Sequence, residues 1–383
     1  MNVIKEFIWK KKCTQLCVGP MSKNCIDVCI EISKQLDIPI VLIASRRQID
    51  ADFLGGGYVE PFSTQAFSKY VKSKKSDKVL LARDHGGPWQ NSVESSQNMD
   101  LETAMASAKR SFETDILSGF ECIHIDPSIP INNEDLDLTK ILERLFELYA
   151  FCMEVANCHG RKIAVELGTE EQNGYGQNLG LFEYFIHKTL EFCDRNAISK
   201  PAFIVAQTGT KVKEMQNVGT FQNNVSDENS LSLHHLEKTV ALCNRHGIML
   251  KEHNTDYLCN QALALRPLLG IHASNIGPEL GVIETKALLY LLKIHGYRKA
   301  FDRFVEIALE SKKWEKWALE KSSSSDLEKA MICGHYVFSH PEVLEIKNKT
   351  NRDLASKHVD LKAYLKQNIK VSMMRYIQLF NMI

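Results

Sequence analysis

Eight short apolar segments alternate with amphipathic helical patterns along most of the chain, and this alternation constrains the fold more than any other feature. Strands of near-continuous apolar character are buried on both faces, so the alternation predicts a parallel sheet covered by helices. Eight strand–helix units predict that the sheet closes into a (β/α)8 TIM barrel of the α/β class. The apolar segments lie at residues 16–19, 39–44, 79–82, 122–126, 162–166, 202–206, 248–252 and 270–273.

The helical patterns between these segments define the rest of the domain organisation. They lie at 24–36, 63–71, 101–118, 136–157, 181–196 and 231–245, with a short one after Tyr257 and a last one at about 279–293. The remaining chain is also helical in pattern and rich in apolar side chains. We therefore expect a barrel over residues 1–296 and a C-terminal helical extension over 297–383. The apolar residues of the extension need burial, either against the barrel or against a partner subunit.

Composition excludes several classes of protein. The 383 residues contain 47 basic and 47 acidic side chains, so the chain lacks the positive excess typical of nucleic-acid binding. No apolar run is long enough to span a bilayer, and residues 1–12 are too charged for a signal peptide. The 11 cysteines are scattered and predict reduced, buried thiols. Together these features predict a cytoplasmic protein that binds neither nucleic acid nor membrane.

Polar side chains follow most of the predicted strands. In barrels of this kind the catalytic groups lie at the C-terminal ends of the strands, so these side chains should meet at one mouth. Two histidines and a carboxylate at that mouth would suit a divalent metal, zinc before magnesium. In chain order the residues are Arg46 and Arg47; Asp84 and His85; His124, Asp126 and Ser128; Glu166 and Glu170; Gln207; Glu252, His253 and Asp256; Ser274 and Asn275.

The pair Asp84-His85 follows the third apolar segment, with Arg83 between them. Two consecutive side chains on a strand point to opposite faces, so both reach one pocket only if the strand is already breaking there. The turn Gly86-Gly87-Pro88 that follows favours such a break.

The ordered set of motifs resembles the class II aldolase superfamily. It resembles more closely the family of the so-called non-catalytic subunit of D-tagatose-bisphosphate aldolase, whose relatives include metal-dependent ketose-phosphate 4-epimerases. The matching pieces run in order through nearly the whole chain. They are Gly56-Gly57-Tyr58, Asp84-His85-x-Gly87-Pro88-Trp89-Gln90, Ile123-His124-Ile125-Asp126-x-Ser128, Gly168-Thr169-Glu170, Val205-Ala206-Gln207-x-Gly209, Glu252-His253-x-Thr255-Asp256-Tyr257 and Gly277-Pro278.

The resemblance implies roles for particular residues. It implies that His85 and His253 are metal ligands and that Asp84 is the general acid/base. Glu170 is the expected third ligand, with Glu166 as the alternative. Gln207 stands where class II aldolases have a further histidine after strand 6, and it is a candidate ligand. Zn²⁺ is the expected cofactor, with Mn²⁺ or another divalent metal as the alternative.

The implied function is metal-dependent carbohydrate metabolism, in which a ketose or ketose phosphate undergoes reversible aldol-type chemistry. Asp84 would move the C4 hydroxyl proton while the C3–C4 bond breaks to give an enediolate stabilised by the metal. Release of the aldehyde would make the enzyme an aldolase, and its re-addition on the other face a 4-epimerase. Proton exchange at C3, with Glu170 or Asp256 as the base, would make it a 3-epimerase.

Other residues are expected to bind the sugar. Arg46, Arg47 and Lys211 are the cations best placed for a phosphate or carboxylate on the substrate. The remaining expected substrate contacts are Gln90, Ser128 and Asn275.

The rival role is that of a non-catalytic stabilising subunit in a tagatose-bisphosphate aldolase complex. The macromolecular partners to expect are therefore a second copy of this chain or an aldolase subunit. A dinucleotide-dependent oxidoreductase is disfavoured, because Gly55-Gly56-Gly57 lacks the glycine spacing and the strand–helix context of a dinucleotide site.

Overall fold

Eight parallel strands close into a barrel, as the alternation of apolar segments predicts. The computed structural model describes residues 1–59, 62–130, 134–169, 178–223 and 231–383. The strand order around the barrel is β1-β10-β9-β6-β5-β4-β3-β2, and β7 and β8 pair as a separate antiparallel hairpin. The strand bounds are β1 (Gln15–Val18), β2 (Ile40–Ser45), β3 (Val79–Gly86), β4 (Cys122–Ile125), β5 (Ala164–Leu167), β6 (Phe203–Val205), β7 (Val212–Lys213), β8 (Gln216–Asn217), β9 (Met249–Glu252) and β10 (Ala273–Ile276).

Helices occupy the segments between the barrel strands and most of the C-terminal extension. Several begin at a residue whose side-chain oxygen accepts a hydrogen bond from a backbone N–H of the first turn, as Ser22, Asp100 and Asp137 do. The bounds are α1 (Asn2–Lys11), α2 (Lys23–Leu36), α3 (Thr64–Ser73), α4 (Ser92–Ser96), α5 (Leu101–Ser118), α6 (Leu138–Cys158), α7 (Leu179–Arg195), α8 (Thr220–Asn223), α9 (Leu231–Arg245), α10 (Asn260–Leu269), α11 (Pro278–Ile294), α12 (Arg298–Glu310), α13 (Asp326–Cys333), α14 (Pro341–Ala355) and α15 (Leu361–Leu379).

The last barrel strand differs from the sequence prediction. The apolar pattern places it at 270–273, whereas β10 begins at Ala273 and ends at Ile276. Gly270 instead ends α10 in the left-handed conformation, with φ of 78°. Ser274 and Asn275 are polar but belong to the strand, because their backbones pair with Leu16 and Cys17 of β1.

The C-terminal extension packs against the barrel. Ile369, Met373, Tyr376 and Phe380, from α15 and the residue after it, are fully buried in the same apolar cluster as the barrel strands. A second cluster joins α11 to α12, α13 and α14. Burial of this apolar surface is the main favourable contribution to holding the extension in place.

Two further observations bear on the environment of the chain. Among the helices of the described residues, none has the length and apolar character needed to cross a membrane. The cysteines are free thiols, and all except Cys158 and Cys259 are buried.

Candidate metal centre

A cavity of about 480 Å³ opens at the C-terminal ends of the barrel strands. This is the end at which barrels of this architecture carry their functional groups. Its lining joins residues from the strand ends, from the loops after them and from the extension. The chemically active side chains among them are Arg47, Gln48, Tyr58, Asp84, His85, Gln90, Asp126, Ser128, His253, Asn254, Asp256, Asn275, Lys316, Trp317 and Tyr336.

A bulge at the end of β3 lets Asp84 and His85 line this one cavity. The pairing of β3 with β4 shifts register between Arg83 and Gly86, and His85 has a φ of 44°. The break expected from the sequence is therefore present, although both residues still belong to the strand. Gly86 allows the close approach of β4, because a Cβ at this position would lie 2.8 Å from the carbonyl oxygen of His124.

Four side chains from four strand ends bring one donor atom each into a single cluster. Asp84, His124, Glu166 and His253 offer ligand atoms that all lie within 4.8 Å of one another. Glu166 Oε1 is 3.3 Å from His253 Nε2 and 3.7 Å from His124 Nδ1. Asp84 Oδ1 is 3.8 Å and 3.6 Å from the same two nitrogens. We call these four residues the donor cluster.

Strand register explains why His124 and Glu166 meet. They are paired neighbours on β4 and β5, so their side chains project from the same face of the sheet. Both are almost completely buried, beside Asp84 and His253, which line the cavity. The rings of His85, His124 and His253 form a triangle with centroid separations of 5.0 to 5.3 Å.

The donor cluster carries a negative charge that a cation would balance. Burial alone would raise the pKa of Glu166, but Lys251, 2.7 Å away, and the neighbouring histidines outweigh it and lower that pKa to about 2. Burial opposes ionisation of Asp84 too, and the surrounding His85, His124 and His253 hold its pKa well below the usual range. The two carboxylates and the Lys251 ammonium sum to a buried charge of about −1, before any proton on the histidines is counted.

These residues fit a divalent metal by the chemistry of their donor atoms. Two imidazole nitrogens with two carboxylate oxygens are ligands that zinc accepts, and manganese takes the same set. Nδ1 of His124 accepts a hydrogen bond from the backbone N–H of His85 at 3.1 Å. A metal bound through this nitrogen would take the place of that hydrogen bond, because an imidazole nitrogen has a single lone pair.

His85 and Asp126 form a hydrogen-bonded pair at the edge of the donor cluster. His85 Nδ1 lies 2.8 Å from Asp126 Oδ2, and His85 Nε2 lies 3.9 Å from Asp84 Oδ2. Gln90 donates to Asp126 Oδ2 at 3.0 Å, and the backbone N–H of Ser128 donates to Oδ1 at 3.2 Å. A carboxylate held in this way fixes the orientation of the imidazole and stabilises its protonated form.

Asp256 and Asn275 occupy the same cavity. Asp256 accepts hydrogen bonds from the backbone N–H groups of Gly277 and Glu279, at the beginning of α11. Its burial and the nearby Glu279 carboxylate raise its pKa to about 7. Asn275 donates to Asp84 Oδ1 at 3.2 Å and so helps to orient that carboxylate.

The structure brings most of the residues predicted from the sequence to the cavity or the donor cluster. Glu252 and Ser274 do not reach it, because Glu252 is buried in an ion pair with Arg266 and Ser274 donates a hydrogen bond to Glu252. Gln207 and Lys211 follow β6 and are not among the residues that line the cavity. Glu170 lies outside the described residues. Arg46 is buried against Asp50 at 2.9 Å and Glu94 at 2.6 Å, and it donates to the carbonyl of Gly87 at 2.7 Å. Arg46 therefore supports the turn after β3, which corrects its expected role as a substrate contact.

Sequence reasoning missed several residues of the site. The sequence places His124 within its strand without marking it as a ligand, and it offers Glu166 only as the alternative to Glu170. His124 and Glu166 occupy paired positions on the neighbouring strands β4 and β5. That pairing can be recognised only once the strand register is known. Lys316, Trp317 and Tyr336 come from the extension, where no local motif marks them.

Comparisons with known proteins agree with this architecture. A family model described as D-tagatose-1,6-bisphosphate aldolase subunit GatZ/KbaZ-like matches residues 10–330. The fold is similar to that of a probable tagatose 6 phosphate kinase from Sinorhizobium meliloti 1021, with a TM-score of 0.76 and 16% identity, covering 96% of this chain and 100% of that one.

Two further solved structures share the fold. One is the fructuronate-tagaturonate epimerase UxaE from Cohnella laeviribosi, with a TM-score of 0.61, 12% identity, and coverage of 96% of this chain and 82% of that one. The other is the fructose-bisphosphate aldolase from Campylobacter jejuni, with a TM-score of 0.52, 13% identity, and coverage of 100% and 94%. At these identities the likeness establishes the fold.

Proposed function

This chain belongs to the D-tagatose-1,6-bisphosphate aldolase subunit GatZ/KbaZ-like family, and from this we propose that it is a divalent-metal-dependent enzyme acting on a ketose or ketose phosphate. The proposed chemistry is reversible and of the aldol type, either C4 epimerisation or C3–C4 cleavage. The observation that carries the proposal is the donor cluster beside a cavity large enough for a sugar. Concave sites with a few convergent polar groups and shifted pKa values are typical of enzymes.

His124, Glu166 and His253, together with Asp84, would hold the metal. A bound divalent ion supplies Lewis-acid polarisation of a carbonyl group. Lys251 donates a hydrogen bond to Oε2 of Glu166. The other oxygen, Oε1, therefore faces His124 and His253. The ammonium thus keeps Glu166 ionised and fixes which of its oxygens belongs to the donor cluster.

His85, backed by Asp126, would move the proton. In the proposed reaction its Nε2 accepts the proton of the C4 hydroxyl as the C3–C4 bond breaks and the bonding electrons pass toward C2. The Asp126 carboxylate stabilises the imidazolium that forms. The same nitrogen returns the proton when the bond re-forms. Asp256, with its pKa of about 7, is the second group in the cavity suited to exchange a proton near neutrality.

This assignment reverses the roles expected for Asp84 and His85. The resemblance implied His85 as ligand and Asp84 as acid/base. Asp84 lies among the donor atoms and has a lowered pKa, which suits a ligand and makes it a weak base. Nδ1 of His85 is paired with Asp126, which suits a proton carrier.

Turnover of a panel of ketoses and ketose phosphates tests the proposal. Purified protein is incubated with each compound in the presence of Zn²⁺ or Mn²⁺, before and after treatment with a chelator. We expect metal-dependent formation of an epimer, or of a triose if the aldehyde is released. Metal-independent turnover, or identical activity of Glu166→Gln protein, would contradict it.

The second candidate is a stabilising subunit of an aldolase complex, favoured because the matching family is described as an aldolase subunit. It predicts a stable complex with a separate aldolase chain and unchanged support of that aldolase by the Glu166→Gln variant. Co-purification followed by assay of the partner's activity distinguishes the two roles.

A further inference from the structure

The C-terminal extension contributes a cationic side chain and an aromatic surface to the cavity. The short 3-10 helix Glu315–Trp317 carries Lys316 and Trp317, and both line the same cavity as Asp84 and His253. Lys316 Nζ lies 4.8 Å from the ring centroid of Trp317 and 4.9 Å from that of Tyr336. These contacts position the ammonium while its end stays accessible to solvent.

The segment that carries Lys316 is fixed by the hairpin β7–β8, which follows β6. Lys213 Nζ donates to the backbone carbonyl oxygen of Lys316 at 3.0 Å. The backbone N–H of Glu214 donates to the carbonyl oxygen of Trp317 at 2.7 Å. Trp317 Nε1 donates to the hydroxyl of Tyr336 at 3.1 Å, and Tyr336 packs against Tyr58 with ring centroids 4.5 Å apart. The barrel and the extension therefore build this wall of the cavity together.

Lys316 shares the cavity with a second cation, Arg47, from the loop after β2. Among the residues that the structure describes, no carboxylate forms an ion pair with either of them. Two unneutralised cations in a cavity favour an anion, because it removes their repulsion and accepts charge-assisted hydrogen bonds.

We propose that Lys316 and Arg47 form a subsite for an oxyanion, a phosphate or carboxylate group, carried by the end of the ketose away from the reacting carbons. This inference rests on the proposed function for the identity of the sugar and deepens it by naming an anionic substrate class. The donor cluster and the His85–Asp126 pair act on the hydroxyl and carbonyl groups. The extension selects the anionic end and Trp317 supplies an apolar face for the carbon chain between them.

Equilibrium binding of a matched set of sugars tests the subsite without requiring turnover. The probes are D-fructose, D-fructose 6-phosphate and D-fructuronate, measured by calorimetric titration on the full chain with and without added Zn²⁺. The variants are Lys316→Met, which keeps the apolar stem, Lys316→Arg, which keeps the charge, and Lys313→Met as control. Lys313 is exposed nearby but does not line the cavity.

We expect the wild-type chain to prefer at least one anionic probe over fructose. Lys316→Met should weaken binding of that probe by about 10- to 100-fold, the size of one lost charge-assisted hydrogen bond, with fructose binding unchanged. Lys316→Arg and Lys313→Met should stay within about threefold of wild type. The preferred probe distinguishes a phosphate from a carboxylate.

Equal binding of the three probes, or binding of none, would overturn the subsite, as would unchanged anion binding in Lys316→Met. A parallel loss of fructose binding in that variant would also refute it, because the lysine would then support the cavity rather than the anion. A chain that binds the anion through Lys316 but shows no metal-dependent turnover would refute the proposed function alone.

Discussion

Asp84 and His85 are neighbours in the chain, yet they contact different groups. Asp84 lies among the donor atoms of His124, Glu166 and His253, whereas Nδ1 of His85 is engaged by Asp126. Their separation depends on the bulge at the end of β3, which directs both side chains into the cavity. In the proposed mechanism one residue would therefore hold the metal while the next would exchange a proton.

His85→Gln should keep the metal and lose activity. Glutamine is polar and of similar length, but it cannot accept and return a proton near neutral pH. We therefore expect kcat to fall by a factor of about 10² to 10⁴. Steady-state kinetics on the active ketose, with metal content measured on the same sample, check this. Loss of the metal would instead make His85 a ligand, as the sequence resemblance implied.

Asp256→Asn should stabilise the protein at high pH. The folded-state pKa of Asp256 is raised from its ordinary value of 3.8 to about 7, by burial and by Glu279. The folded protein thus holds a proton that the unfolded chain releases between these values, and stability falls as pH rises through this window. The amide oxygen of asparagine can still accept from Gly277 and Glu279 without ionising.

Denaturant unfolding at pH 5 and pH 8.5 measures this effect. The gain in free energy of unfolding from Asp256→Asn should be larger at pH 8.5 than at pH 5 by roughly 1 to 3 kcal/mol. A gain that is the same at both pH values would show that Asp256 is not protonated in the folded state near neutrality.

At the scale of elements, the loop after β2 contains two adjacent arginines with different environments. Arg46 is buried in ion pairs with Asp50 and Glu94, whereas Arg47 is exposed at the cavity. Arg46→Met leaves two buried carboxylates unpaired and should lower the free energy of unfolding by about 3 to 5 kcal/mol. Arg47→Met should change it by less than about 0.5 kcal/mol.

Chemical denaturation of the two variants side by side measures this difference. Equal stabilities would contradict the structural role of Arg46. Arg47→Met should also weaken binding of the anionic sugar, which separates a substrate contact from a structural one.

The elements predictable from sequence were those with a strong apolar pattern. The first seven barrel strands lie at or close to their predicted positions, because their buried segments are nearly continuous in Val, Ile, Leu and Ala. The eighth strand departs from its predicted position because it contains two polar residues, which interrupt the apolar pattern: Ser274 donates a hydrogen bond to buried Glu252, and Asn275 lines the cavity. Asp84 and His253 are predictable because each lies close to the C-terminal end of an apolar segment.

The remaining site residues could not be predicted for a different reason. His124 and Glu166 converge through the lateral register of β4 and β5, which one sequence does not encode in any local motif. Lys316 and Trp317 reach the cavity from a segment far along the chain. Such contacts depend on tertiary packing and follow only from the folded structure.

At the scale of the whole molecule, the extension and the barrel share one apolar core. Met373 of α15 is fully buried, and its sulfur lies 3.8 Å from Cys29 Sγ of α2. Met373→Ala should lower the free energy of unfolding by about 2 to 5 kcal/mol. Because the core is shared, calorimetry should show one unfolding transition that moves to lower temperature. A split into two transitions would show that the extension unfolds independently.

The metal content of the purified chain tests the central claim most directly. Wild-type protein, saturated with Zn²⁺ or Mn²⁺ and then dialysed, should retain about one divalent ion per chain by inductively coupled plasma mass spectrometry. His124→Ala and Glu166→Gln should lose that ion, whereas His85→Gln and Lys316→Met should keep it. A wild-type chain that retains no ion, or variants of His124 and Glu166 that retain it fully, would contradict the metal centre.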